Sequence, residues 1–469
     1  MAATITDALK KNFMEQTIAD INNATSYYYA AIGKTDTWSD ENNPDTPRNS
    51  LRDARLARSG LQSYKIVTDS SIVVPRSNWS SGAIYSGWDD NTVGHPTNNF
   101  YVVTGSQQVY VCLQQARNSA GQAVPSTVEP TLTTADAFYT NDGYLWKYLY
   151  AIGALSASKY LAANFMPVQR IDSTDAQSPA SVLNQVDIQN AAVEGQIVGY
   201  RVISGGTGYE TTPGITIRGD GTGATARAFI EGGAVVKVEV DSDGAGAPNL
   251  GSGYQYASVE IADPTGTGGT TAVIRPILSP TGGFGADPIN DLKASALMLN
   301  VKLSGDEGGD FIITRGTNFR QVGLIRNPLK WNDSDFTGTT GSSLRYLSMS
   351  SISSPFTVGT VSSPTVIVGG TSGAVGYLDD VLDSGGSHYL WYHQTEATGF
   401  RPFQEDEEIT EQSGTGVGQT DAAGVDADTN AYTNGVINPY TGELLYLDNR
   451  VAIPREEGQT EDIKIVIQL

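Results

Sequence analysis

One cysteine and three histidines are all the thiol and imidazole that 469 residues supply. A lone thiol closes no internal disulfide, so nothing here calls for an oxidising compartment. Cys112 lies in the apolar run Val109-Tyr110-Val111-Cys112-Leu113, which predicts a buried, inert thiol. No Cys/His cluster with zinc spacing exists. His388 and His393 are five apart on a strand-like segment, an odd spacing that sends side chains to opposite faces, and with His95 they read as surface or loop residues. Positive charge is also scarce. Lys and Arg number 29 against 51 Asp and Glu, a net charge of −22. Such a chain repels phosphate backbones and anionic bilayers, so neither nucleic acid nor a membrane is an expected partner. No apolar run approaches the roughly 18 residues of a spanning helix. Residues 1–11 lack a signal core, so synthesis in a cytoplasm is expected.

What the chain does have is 52 glycines and 23 tyrosines among many Thr, Val and Ile. That mixture favours short strands and tight turns. The predicted class is mainly β and multi-domain: an antiparallel sheet or sandwich framework, an N-terminal helix and two inserted glycine-rich β modules. Thr6 is placed to cap the helix, with Leu9, Phe13, Met14, Ile18 and Ile21 at helical spacing and Asn22-Asn23 ending it. A strand over 27–32 follows, then a Pro/Asn-rich loop and a second helix in the basic stretch 48–58. Strands are expected at 64–68, 72–74, 100–104, 109–114 and 144–152, and a polar connection over 170–190.

Residues 195–285 contain an internal repeat. Gly206-Thr207-Gly208-Tyr209 recurs as Gly251-Ser252-Gly253-Tyr254, and Gly221-Thr222-Gly223 as Gly266-Thr267-Gly268, both 45 residues on. Ile215-Thr216-Ile217 answers to Val259-Glu260-Ile261. The predicted division is framework at 1–194, a glycine-rich β-repeat module at 195–285, framework at 286–351, a second β module at 352–430 and framework strands at 431–469. In the last part Ile463, Ile465, Ile467 and Leu469 alternate down a terminal strand.

Patterns that carry chemistry are weak. Gly221 to Ala226 satisfies a loose dinucleotide fingerprint, but a β-type run follows it where a phosphate-binding helix is required. Asp241-Ser242-Asp243-Gly244 begins like a calcium loop whose twelfth position is Ser252, not Glu. No Gly-x-Ser-x-Gly elbow occurs. The run Glu405-Asp406-Glu407-Glu408 reads as a hydrated loop. No cofactor, metal or catalytic set is legible, and a non-enzymatic role is expected. Tyr27, Tyr28 and Tyr29, and the terminal Ile463, Ile465 and Ile467, are candidate interface residues.

Six segments in order resemble the baseplate wedge subunit of T-even-like contractile-tailed bacteriophages, the gene product eight family. They are Ala31-Ile32-Gly33-Lys34-Thr35-Asp36-Thr37-Trp38-Ser39; Val73-Val74-Pro75-Arg76-Ser77-Asn78-Trp79; Val109 to Leu113; Asp142-Gly143-Tyr144-Leu145-Trp146-Lys147-Tyr148-Leu149; Asn318-Phe319-Arg320-Gln321-Val322-Gly323-Leu324-Ile325-Arg326-Asn327 with Pro328-Leu329; and Gly442-Glu443-Leu444-Leu445-Tyr446-Leu447-Asp448-Asn449-Arg450. Their motif positions are Gly33, Trp38, Pro75, Arg76, Trp79, Trp146, Phe319, Arg320, Asn327, Pro328, Asn449 and Arg450. The resemblance implies a virion protein of the tail baseplate that is mostly β and dimeric within each of six wedges. It implies contacts with other wedge proteins, rearrangement at host attachment and no catalysis. The two glycine-rich regions depart from shorter members of that family. A receptor-binding tail fibre or adhesin, or a polysaccharide depolymerase, is the competing reading, and either predicts a trimer.

Overall fold

A computed structural model of the chain describes residues 4–92, 99–174, 178–243, 246–266, 268–304, 318–359, 363–421, 431–455 and 459–469. His95, Gly244 and Thr267 lie outside the described residues. Within them, 28 strands outweigh five helices, so the protein is mainly β. The chain divides into two compact units. One comprises Met1–Gln16, Ser71–Met298 and Val466–Leu469; the other comprises Thr17–Ser70 and Leu299–Ile465. Residues 1–194, read as one framework part, are thus shared between the units.

In the first unit, Tyr101–Val103, Gln108–Gln114, Leu145–Ala151 and Phe138–Tyr139 form an antiparallel sheet in that order. The register sets Tyr110 opposite Tyr148 and Cys112 opposite Trp146. Almost every residue of the two central strands is buried, which their near-continuous apolar runs foreshadow. Tyr85, Tyr110, Tyr144, Trp146 and Tyr148 fill the core, Tyr144 and Trp146 stacking at 5.7 Å. Ile188 joins them from the Ala180–Asn190 helix, in the stretch expected to be only a polar connection. Gln185 and Ile188 are the helix's buried residues, too thin a stripe for a periodic signal.

The repeat module lies wholly in this unit. Its counterpart strands pair with each other: Ile215 faces Ile261, Thr216 faces Glu260 and Ile217 faces Val259. Thr222, by contrast, faces Ser252, which is the counterpart of Thr207, so this second pairing joins different parts of the two repeats. The repeated tyrosines, Tyr209 and Tyr254, are both buried. Gly206 sits at φ +64°, and a Cβ there would lie 2.3 Å from the Thr270 carbonyl oxygen, so only glycine closes this turn. After Gly221 come the strands Thr222–Ala224 and Ala226–Glu231, with no helix to meet a phosphate.

The Asp7–Ile21 helix is present, but its apolar residues do not form one face. At roughly 100° per residue, Met14, Ile18 and Ile21 share a stripe that Leu9 and Phe13 do not. Met14 and Ile21 are buried, whereas Leu9 is 43% and Phe13 50% exposed.

The second unit holds a five-stranded sheet in the order Thr340–Ser342, Leu61–Ile66, Tyr28–Gly33, Asn318–Arg326, Glu443–Pro454. Beyond it in the chain, Arg345–Ser354, Val366–Gly369, Val375–Ser384, Ser387–His393, Glu408–Glu411 and Val417–Thr420 close on themselves. The Arg345–Ser354 strand pairs with Ser387–His393 through its first half and with Val417–Thr420 through its second. The result is a six-stranded antiparallel ring around Leu347, Ile367, Leu390, Phe403 and Ile409. Glu407 is no part of a hydrated loop. It is 1% exposed, and its carboxylate accepts from the Ser372 amide at 2.8 Å and hydroxyl at 2.9 Å and the Gln404 amide at 2.6 Å. Those donors replace lost water, so an acid can close a core turn.

Candidate functional site

In the second unit, all six residues of the strand Tyr28–Gly33 are buried. It ends where the Gly60 carbonyl crosses it so closely that no side chain fits at Gly33. Lys34 then turns left-handed at φ 57°, its amide donating to Gly60 O at 2.8 Å. That turn delivers Thr35 and Asp36 to a buried histidine. His393 Nδ1 lies 2.7 Å from Asp379 Oδ2, and Asp36 Oδ1 lies 3.7 Å from Nε2. Thr35 Oγ1 donates to Asp379 Oδ1 at 2.7 Å, and Gln62 Nε2 donates to Thr35 Oγ1 at 3.2 Å. Lys34 Nζ pairs with Asp36 at 2.8 Å.

Burial works against charge on His393, but the carboxylates of Asp379 and Asp36 outweigh it and push the imidazole up to about 10. Burial likewise works against ionised Asp36, yet the facing His393 imidazolium and the Lys34 charge hold it well below the usual carboxylate range. At neutral pH the arrangement is an imidazolium clamped between two carboxylates. A histidine held in its charged form accepts no proton, so this cluster is an ionic clamp and not a general base. The expected surface histidine is therefore a core one, because Asp379 and Asp36 offset its desolvation. Sequence offered one faint sign: Asp379 stands in the strand run Leu378-Asp379-Asp380-Val381.

Several motif positions of this unit, Trp38, Arg320, Asn449 and Arg450, gather near the same turn. Arg320 is fully buried, its Nε 2.9 Å from Glu41 Oε2 and its Nη1 donating to Thr35 O at 2.9 Å. Trp38 Nε1 donates to Arg450 O at 2.8 Å, and Lys34 Nζ sits 4.4 Å from its ring centre. Gln321 Nε2 donates to Asn449 Oδ1 at 2.9 Å. Phe319 is buried on the same strand. At that strand's end Asn327 turns left-handed at φ 48°, accepts the Tyr27 amide on Oδ1 at 2.7 Å and precedes Pro328. Asn327→Ala is expected to cost about 1–2 kcal/mol, combining left-handed strain with a lost hydrogen bond. Asn327→Gly restores only the backbone freedom and should fall between, as urea unfolding will report.

In the first unit the remaining positions are architectural. Pro75 O accepts the Tyr101 hydroxyl at 2.7 Å, and Arg76 Nη1 donates to Ala162 O at 3.1 Å. Trp79 Nε1 donates to Ser126 Oγ at 3.3 Å, and Trp146 is wholly buried.

The candidate interface residues fare differently. Tyr28 and Tyr29 are buried because their strand is an interior one, flanked on both sides. Tyr28 Oη donates to Asp20 at 2.6 Å, and Tyr29 Oη to Phe336 O at 3.0 Å and Gly338 O at 2.8 Å. Tyr27 is half-buried. Ile465 is buried, while Ile463 and Ile467 are half-buried. Ile463 and Ile465 line a groove of about 330 Å3 with Phe319, Val322, Tyr446 and Ile453.

No protein-family model matches this chain, and no curated protein matches it.

Proposed function

We propose that this protein is a structural wedge component of a contractile phage tail baseplate. It is made in the bacterial host cytoplasm, carried in the virion, and works through contacts with other wedge proteins and a second copy of itself. The observation that carries the reading is the pairing of three resembling segments. The first, fifth and sixth each lie more than a hundred residues from the next in sequence, yet they supply three adjacent strands. Ala31 faces Gly323, and Gly323 faces Leu447. Unrelated coincidences along a sequence have no reason to share one sheet and bond through their own motif residues. The third and fourth segments likewise pair with each other.

Of the contact elements, the strand over 27–32 is internal and is set aside. The Glu443–Pro454 strand closes its sheet, and its far edge has no strand partner among the described residues. It exposes Leu445 at 49% and Val451 at 52%. An open edge with apolar side chains suits two-fold pairing with a second copy.

Light scattering on the purified full chain should give a dimer, reduced to monomer by Leu445→Asp with Val451→Asp. Antibody labelling of contractile-tailed particles that contain the chain should mark the baseplate plane. A detergent-resistant trimer, or label at the tips of fibres, would sink the reading.

A further inference from the structure

The sequence holds a single Asn-Gly pair, Asn434-Gly435. It lies in the second unit, just after the short strand Tyr432–Thr433, which pairs with the start of Arg345–Ser354, and just before the buried Ile437. Glycine is forced at 435, because a Cβ there would lie 2.6 Å from Ser342 O and 2.7 Å from Leu344 O. The missing Cβ also leaves the Gly435 nitrogen unshielded beside the Asn434 side chain. That N–H has no hydrogen-bond partner among the described residues. Asn434 is half-buried, and its Oδ1 accepts from Arg345 Nε at 3.2 Å. The Arg345 guanidinium is seated 4.5 Å from the Tyr432 ring centre. A hydrogen bond from a cation draws electron density off the amide carbon. Asp142-Gly143 is the contrast, since it has the atoms to close the same five-membered ring. There the Gly143 N–H donates to Thr140 O at 2.9 Å, and the carboxylate accepts from Ser126, Thr127, Val128 and Thr140. That pair is tied, whereas the nitrogen of Gly435 is not.

We propose that Asn434 is a self-modifying site, which deamidates in the folded protein. The Gly435 nitrogen attacks Asn434 Cγ and forms the new C–N bond of a succinimide. The Cγ–Nδ2 bond breaks, and the amide group leaves as ammonia with the proton from the Gly435 N–H. Solvent water then opens the ring at either carbonyl, giving aspartate or isoaspartate, with no oxidant or reductant involved. In the aspartate form a carboxylate faces Arg345, so a neutral contact becomes an ion pair. The isoaspartate form adds one carbon to the main chain where Gly435 already runs against the Ser342 and Leu344 carbonyls, and that junction has no room for it.

Peptide mass mapping of the full chain, aged in mildly alkaline buffer beside a synthetic peptide of residues 431–438, tests this. The Asn434 peptide should gain about one dalton and separate into aspartyl and isoaspartyl forms. Conversion in the native chain should run within roughly tenfold of the free peptide, because the fold leaves the attacking nitrogen untied. Asn434→Gln, whose longer side chain closes a larger ring, should keep its mass. Asn434→Asp should unfold near the parent's thermal midpoint, and the aged isoaspartyl fraction below both. A native chain whose Asn434 keeps its amide while the free peptide converts overturns the proposal. Conversion spread evenly over the other asparagines overturns it too, since that pattern marks unfolded chain and not this site.

Discussion

Asp379→Asn is expected to destabilise the second unit by about 3 kcal/mol, the usual cost of stranding one member of a buried ion pair. The substitution removes the carboxylate 2.7 Å from His393 and weakens the acceptor that Thr35 and Gln62 share. Its signature lies in the pH dependence. The native imidazole titrates near 10 against an ordinary value of 6.5, so its stabilising contribution is complete below pH 6.5 and lost as pH rises through about 10. Asp36 works in the opposite sense. Its native value is depressed from 3.8, so its contribution is present above that pH and lost as pH falls below it. Parent stability should therefore decline from pH 6.5 to 10, and the decline should flatten in Asp379→Asn. Histidine NMR resonances give the direct check. A His393 signal titrating near 6.5 in the parent would show that the clamp does not hold its charge.

Gly33→Ala should cost about 3 kcal/mol, at the upper end for overpacking, because the obstacle is backbone. The new methyl would lie 2.1 Å from Gly60 O and 2.6 Å from Leu61 Cα. Relieving that clash must part the Tyr28–Gly33 and Leu61–Ile66 strands or break the Lys34 amide bond to Gly60 that starts the turn. Gly60→Ala is the control on the other side of the same crossing. Its methyl would meet Gln321 Oε1 at 3.3 Å, the movable end of a side chain, and should cost under about 1 kcal/mol. Chemical denaturation of both variants separates the cases. Equal losses would mean that the close approach is not what glycine serves at position 33.

Much of the fold was legible where a signal is local. The strands around Val109 to Leu113 and Tyr144 to Leu149 announce themselves as apolar runs, and Asn327-Pro328 as a stop. The repeated glycine turns name the strands that go on to pair. Local signals failed where the partner is remote. Nothing near Tyr28 and Tyr29 says that strands from both sides will cover them. Nothing near Glu407 says that the Ser372 amide and hydroxyl will satisfy it. Leu9 and Phe13 were grouped with Met14, Ile18 and Ile21, although at roughly 100° per residue they lie on another side of the helix, and that side is the exposed one.

Composition and pattern by themselves settled the class: glycine turns between β-branched and aromatic runs bury apolar area only by pairing strands, so the protein is mainly β. They settled its polyanionic surface too. Tertiary structure alone decided that His393 is an ion-paired core residue, that Arg320 lies beneath the Thr35 turn, and that the Tyr28–Gly33 strand is interior. Each depends on residues tens to hundreds of positions away, and the cost of burying a charge or a backbone edge is set by the partner that arrives there.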